Sequence, residues 1–156
     1  MVTFRTAKPE DAAVLTSLMH QSFGEIQPPS SALQESAAYV RQRLETGEQA
    51  VMASMGDEVV AMVRFSLQEE ELHFFRLCVH PAHRRKGLAR QLLQWLQGHA
   101  ASLGKKAMVC GVRKEIDQNV RLYAEMGFVV TREEILVRSA DCRYPVVYMR
   151  KELINI

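Results

Sequence analysis

The sequence predicts an α/β fold on a mixed sheet, in the order β-α-α-β-β-β-α-β-α-β-β. Three observations carry this expectation. Stretches of strand period and of helix period alternate along the chain. The run His73 to Val79, a helix-period stretch ending at Leu103 and the run Lys106 to Val112 make a strand–helix–strand unit, which implies a right-handed parallel crossover at the centre. Gly56-Asp57 between two strand-like runs reads as a tight hairpin turn, so the sheet also contains antiparallel pairs.

The elements follow in order. Val2 to Arg5 reads as a short strand. Pro9 suits the first helical turn, and Glu10 and Asp11 suit the positive end of a helix dipole. Leu15, Leu18, Met19 and Phe23 then form an apolar helix face. Gln27-Pro28-Pro29-Ser30-Ser31 is a loop, because adjacent prolines bar regular structure. A second helix is expected over Ala32 to Leu44, then strands over Ala50 to Ser54 and Glu58 to Ser66. Glu69, Glu70 and Glu71 read as a solvated turn before the strand His73 to Val79. Leu88, Leu92, Leu93, Leu96, Ala100 and Leu103 recur at helical spacing. After the strand Lys106 to Val112, a helix over Asn119 to Met126 ends on a glycine cap at Gly127. Val129 to Val137 and Pro145 to Arg150 close the sheet.

At 156 residues the chain reads as one domain, 1–156. Its 47% apolar content supports a real core and excludes a disordered chain. The net charge of +2 argues against a nucleic-acid binder as a whole-chain description. Cys78, Cys110 and Cys142 are odd in number and lack C-x-x-C spacing, which argues against a disulfide framework or a cysteine zinc site and for a reducing compartment. No apolar run reaches the roughly 18 residues of a membrane span, and the N-terminus lacks a signal-peptide core. The expectation is a soluble cytoplasmic protein without a membrane partner.

The chemistry concentrates in Arg84-Arg85-Lys86-Gly87-Leu88-Ala89-Arg90. Gly87 stands at a helix start where no Ser, Thr, Asp or Asn cap is available, so the first helical N–H groups and the dipole make an anion site. Gly87 and Ala89 leave room for a phosphate near the backbone, and four cations crowd the turn. A phosphate or pyrophosphate ligand follows; a solvated basic loop is the competing reading. Neither a G-x-x-x-x-G-K-[ST] loop nor G-x-G-x-x-G is present. Just upstream, Pro81 removes a ladder donor and holds His80 extended.

Leu77-x-Val79-x-Pro81, Arg84-x-x-Gly87-x-Ala89 with its helix, and Leu122-Tyr123-x-x-x-Gly127-Phe128 together resemble the GNAT superfamily of acetyl-CoA-dependent N-acetyltransferases. Arg5-x-Ala7-x-x-x-Asp11-Ala12 is similar to that family's first strand and helix. The resemblance covers essentially the whole chain. It implies that the backbone at Leu77, Cys78 and Val79 bonds the acetyl carbonyl and pantetheine arm. It implies that the amides from Arg85 through Lys86, Gly87, Leu88 and Ala89 to Arg90 bind the coenzyme A pyrophosphate, with Arg84, Arg85 or Lys86 reaching its phosphates. It implies Tyr123 as the acid that protonates the departing thiolate, and Asn119 as a pantetheine contact. The family often places an Asn seven residues before the tyrosine; here that position is Ile116.

The implied reaction is direct attack by a primary amine of a small molecule or protein on acetyl-CoA, with no metal. An alternative is a non-catalytic acyl-CoA-binding or sensor module of the same fold. An alkylammonium has a pKa of roughly 10 and must lose a proton before attack. Val79 N–H is the candidate oxyanion donor. Candidate bases are His73, Glu71 and Glu25, or a water chain. Glu25 and Glu35 hint at a cationic acceptor, and Tyr39, Tyr144 and Tyr148 are candidates to line its pocket. Cys78 as an acyl-carrying nucleophile lacks a His–acid pairing, and His80 with His83 lacks a carboxylate for a metal. Trp95 reads as helix packing. Family members often dimerise, and no heptad or apolar patch in the sequence points to a homodimer here.

Overall fold

The computed structural model describes residues 1–24 and 30–153. Seven strands and four α-helices lie among them, in the expected order. They gather into two compact units, Met1–Ser66 with Phe74–Gly98, and Leu67–His73 with His99–Ile156. The strand β4 (Glu71–Val79) and the helix α3 (Leu88–Ser102) each contribute residues to both.

In the first unit, β1 (Val2–Thr6) pairs antiparallel with β2 (Gln49–Met55), which pairs antiparallel with β3 (Glu58–Leu67); β4 is the next neighbour. Gly56 turns the hairpin at φ +63°, a conformation glycine adopts without a Cβ penalty. α1 (Ala12–Phe23) buries Leu15, Leu18 and Met19 into a core with Val40, Ala50, Met52, Met62 and Cys78. The residues Pro9–Asp11 form a 3₁₀ turn rather than the start of α1. The Asp11 carboxylate explains this: it accepts from the Lys8 amide at 2.7 Å and from both terminal nitrogens of Arg5.

The second helix is shorter than expected. Ser31–Gln34 is a 3₁₀ turn, and α2 runs Ala37–Glu45. Two serine caps divide the segment: Ser30 Oγ accepts from Ala32 N–H, and Ser36 Oγ accepts from Tyr39 N–H, both at 3.1 Å. Glu35 between them is extended. Of the Gln27–Ser31 loop, residues 27–29 lie outside the described residues, as does Glu25.

In the second unit the order is β4, β5 (Ala107–Arg113), β7 (Cys142–Glu152) and β6 (Val129–Ser139). β4 and β5 pair in parallel, Glu71 to Ala107 through His73 to Val109, as the crossover requires. β5 pairs antiparallel with β7 along its whole length, and β7 with β6. Glu71 is therefore a strand residue, not part of a solvated turn. α3 buries Leu88, Leu92, Leu93, Leu96 and Ala100, but Leu103 is exposed. The helix has already ended there: Gly104 at φ +74° donates to Ala101 O, and Lys105 N–H reaches back to Ala100 O. α4 (Asp117–Glu125) precedes β6.

Candidate functional site

In the first unit, the end of β4 and the start of α3 form a turn of unusual backbone. β4 stops after Val79, where His80 N–H bonds Val60 O at 2.8 Å. His80 Nδ1 then accepts from Ala82 N–H and caps the 3₁₀ turn Pro81–His83, so it is a local structural residue. Arg85 and Gly87 both take left-handed backbone angles, φ +66° and +76°. A left-handed arginine costs roughly 1–2 kcal/mol, so the fold holds this turn against a local penalty.

The turn is open above Gly87. A side chain there would meet only Gln91 Nε2, at 3.9 Å. Gln91 N–H bonds Gly87 O at 3.0 Å, so Gly87 stands at the head of the α3 ladder, and the N–H groups of a helix's first turn lie ahead of its own acceptors. No acid sits in this first turn. A helix start with its dipole and leading N–H groups is of the kind that attracts an anion. The cations are less uniformly available than the sequence implies. Arg84 donates to Ser22 O at 3.2 Å, and Lys86 Nζ lies 3.2 Å from His83 Nδ1, whose Nε2 faces Glu58. Arg85 is the exposed cation at the left-handed position.

Upstream on β4, Leu77 and Val79 are half-buried and Cys78 is buried. Burial pushes the Cys78 thiol far above its ordinary value, outweighing Arg64 and Arg76, which pull it down. A thiol so held is no nucleophile at neutral pH. Arg76, one residue before Leu77, is left-handed at φ +55°, which interrupts the extended run of β4.

That arginine belongs to a buried ionic cluster that the sequence reading did not identify. The Arg64 side chain, 2% exposed, forks onto Glu48 through Nε at 2.6 Å and Nη2 at 3.1 Å. Its Nη1 donates to Glu35 at 2.8 Å and lies 3.4 Å from the Met19 sulfur. Arg76 Nε donates to Glu35 at 3.2 Å and its Nη2 to Ser31 Oγ at 3.1 Å. Arg43 completes the cluster on Glu48. Burial acts to lower the Arg64 pKa, but the hydrogen bonds to Glu48 and Glu35 hold it above its ordinary value. Glu35 is thus committed to two arginines and is not an open acceptor-binding carboxylate. An arginine within the apolar run Val59-Val60-Ala61-Met62-Val63-Arg64-Phe65 was the available signal, since a charge so placed demands partners.

In the second unit, α4 carries Asn119 and Tyr123 one helical turn apart, half-buried and buried respectively. Burial raises the Tyr123 phenol well above its ordinary pKa, and the neighbouring Cys110 thiol adds to this; burial pushes Cys110 itself up to about 12. Of the candidate bases, Glu71 is ion-paired with Arg150. His73 is half-buried, and burial lowers its pKa against the pull of Glu71. Tyr148 donates to Glu134 at 2.6 Å, and Tyr144, beneath the Arg113 guanidinium at 3.8 Å, accepts from Arg138. Both are structural members of β7. Tyr39 is exposed and Trp95 half-buried. No cluster of metal-ligating side chains occurs among the described residues, and none of their helices is long and apolar enough to cross a membrane.

Comparison with known proteins places these features in context. A model of the acetyltransferase (GNAT) family matches residues 14–128. An L-methionine sulfoximine/L-methionine sulfone acetyltransferase of Salmonella typhimurium is 44% identical over 55 residues, 35% of this chain and 32% of that protein. The L-amino acid N-acyltransferase MnaT of Escherichia coli is 42% identical over 55 residues, with the same coverage. The matched segment thus spans about a third of each curated relative (32%). Among solved structures, the ribosomal-protein-S18-alanine N-acetyltransferase of Escherichia coli superposes with TM-score 0.84 at 18% identity, covering 97% of this chain and 94% of that one. YncA of Salmonella typhimurium, solved with its cofactor acetyl-CoA, superposes with TM-score 0.75 at 23% identity, covering 100% and 96%. At these identities the structural likeness establishes the fold.

Proposed function

Because the chain belongs to the acetyltransferase (GNAT) family, we propose that it is an acyltransferase that moves an acetyl group from acetyl-CoA to a primary amine by direct attack. The observation that carries this reading is the turn opening α3. Two left-handed residues, Arg85 and Gly87, lead directly into the first turn of α3, whose ladder opens on Gly87 O. Backbone held at a cost is expected where it does work, and this work is gripping the coenzyme A diphosphate. Arg85 supplies an exposed charge, and Arg84 and Lys86 set the field. Leu77, Cys78 and Val79 offer backbone groups to the pantetheine arm, with Asn119 a further contact.

The residues then divide the work. The Val79 N–H stabilises charge developing on the acetyl oxygen, as a fixed donor that needs no reorganisation. Tyr123 protonates the departing thiolate. Its raised pKa keeps the phenol protonated at neutral pH, so it is present as a donor and cannot act as the base, while burial makes it a weaker acid than an exposed tyrosine. The base must lie elsewhere, and a water chain leading to His73, whose pKa burial lowers, is the proposed route for the proton. Both curated relatives carry names of enzymes acting on amino acids or their analogues, which supports a small amine acceptor ahead of a protein one.

Titration calorimetry of the full chain with acetyl-CoA, followed by a panel of amines with free coenzyme A as readout, tests this. Saturable heat and turnover on at least one amine are expected. Absence of heat with acetyl-CoA would overturn the reading.

A further inference from the structure

We infer that Lys86 is an activated amine that an acyl phosphate acetylates at Nζ, so that the acyl supply strips a cation from the turn opening α3. The observation is a chain of three side chains on that turn and on the hairpin strand beside it. Lys86 Nζ lies 3.2 Å from His83 Nδ1, and His83 Nε2 lies 3.5 Å from a carboxylate oxygen of Glu58. An ammonium can only donate, so His83 Nδ1 is the acceptor and the ring proton sits on Nε2, toward the carboxylate. The His83 ring is half-buried and packs edge-on against His80 at 5.6 Å between centroids, and His80 is itself tied to Ala82 N–H. Lys86 is exposed, so an acyl donor reaches it from solvent.

This arrangement activates a nucleophile: an amine within hydrogen-bond reach of a base, and the base oriented by a third group. Other lysines are held differently. Lys106 and Lys114 pair with Glu70 and Glu133, and Lys105 donates to the carbonyls of Gln68 and Glu69. A carboxylate or an amide carbonyl is a poor destination for an ammonium proton at neutral pH, whereas a neutral imidazole is the common one.

One ammonium proton passes to His83 Nδ1, and Glu58 faces the imidazolium charge that forms. The free Nζ attacks the carbonyl carbon of the acyl phosphate. The C–N bond forms, and the bond from that carbon to the phosphate oxygen breaks. Phosphate departs with the electron pair and takes the second nitrogen proton, while His83 returns the first to solvent. A phosphate-bearing donor suits the place: Arg84 and Arg85 are exposed cations on the same turn, which leads into the helix start of α3. A phosphate resting there puts its adjacent carbonyl within reach of Lys86. The product is a neutral amide, one cation fewer on the turn. A consequent weakening of coenzyme A binding rests on the reading of the turn proposed above; the acylation itself does not.

Incubation of the full chain with acetyl phosphate, with the acetylation of each lysine followed by peptide mass spectrometry, is the test; circular dichroism confirms that each variant is folded. Lys86 is expected to react about tenfold or more faster than Lys105, Lys106 and Lys114. His83→Gln is expected to bring Lys86 down to the rate of those lysines, and Glu58→Gln to slow it about threefold, with the reference lysines unmoved in both. A merely structural role for His83 does not predict so selective a loss. A Lys86 no faster than the reference lysines, or one undiminished in a folded His83→Gln chain, would each overturn the inference. Acetyl phosphate contains no coenzyme, so either failure is distinct from an absence of heat with acetyl-CoA.

Discussion

The carbonyl of Tyr123 accepts the amide of Phe128 at 2.9 Å, while their rings meet at 5.9 Å between centroids. Gly127 N–H donates to Ala124 O at 3.0 Å between them. These bonds make the glycine-centred helix stop in which the last carbonyls are satisfied from beyond the helix and two apolar side chains close over it. Tyr123 is thus both the proposed acid and part of the lock that fixes where α4 ends. Gly127 sits at φ +98°, where a Cβ would meet the flexible Lys151 chain at 3.4 Å. Backbone strain, not collision, sets the cost of Gly127→Ala, about 1–2 kcal/mol. A fall in melting temperature of roughly 2–8 °C is expected by calorimetry, together with slower turnover as Tyr123 loosens. Turnover unchanged in a destabilised protein would separate the lock from the chemistry.

Tyr123→Phe removes the phenol but keeps the ring that packs on Phe128. The fold and acetyl-CoA affinity are therefore expected to hold, with a loss of about 1 kcal/mol in stability from the phenol's buried contacts, while turnover falls roughly 10²–10⁴-fold. The raised pKa also fixes the pH profile. The native enzyme should speed up with pH as the acceptor amine loses its proton, without an alkaline decline from Tyr123 itself. Stopped-flow detection of free coenzyme A across neutral to alkaline pH reads both. A variant as fast as the native chain would dismiss the phenol as proton donor.

The strands and helices were legible because their periods are strong: Leu88, Leu92, Leu93, Leu96 and Ala100 turn out buried, as spaced. The turn opening α3, proposed to bind phosphate, was legible as a missing cap beside a glycine. What the sequence hid was long-range. Glu35 looked like a free carboxylate because Arg64 and Arg76, 29 and 41 residues away, carry no mark of pairing with it. The break at Ser36 was missed because the apolar period runs on past it, whereas the serine cap and the pull on Glu35 decide the backbone. Leu103 was misread because the glycine stop at Gly104 ends the helix before its spacing matters. The left-handed Arg76 and Arg85 have no local signature, since arginine does not favour that region.

Removing Arg64 should expose how much the buried cluster contributes. Arg64→Met roughly conserves the volume but removes the guanidinium, whose carbon lies 5.3 Å from the Phe75 ring centroid. It leaves Glu48 buried with only the half-exposed Arg43, and Glu35 with Arg76 alone. Breaking a buried pair from one side costs about 3–5 kcal/mol, a loss of roughly 6–20 °C in melting temperature. The triple change Arg64→Met, Glu48→Gln, Glu35→Gln should recover part of that loss, because no bare carboxylate is left inside. If the single variant melted like the native chain, the cluster would be energetically idle.

His73 gives the fold a pH dependence whose sign follows from its surroundings. It is half-buried in β4, paired in register with Val109, and burial lowers its pKa while Glu71 pulls the other way. In the unfolded chain the imidazole takes up its proton near the ordinary value of about 6.5. In the folded chain it does so only at lower pH. Between those two values the unfolded state binds more protons, so stability rises with pH across the window. The contribution is fully present above the unfolded value and is lost as pH falls through the folded one. Urea unfolding at neutral and mildly acidic pH should show the native chain losing more stability on acidification than His73→Gln, which cannot charge. Equal losses in the two proteins would mean that His73 is not held neutral by its site, and would remove it as the proposed proton acceptor.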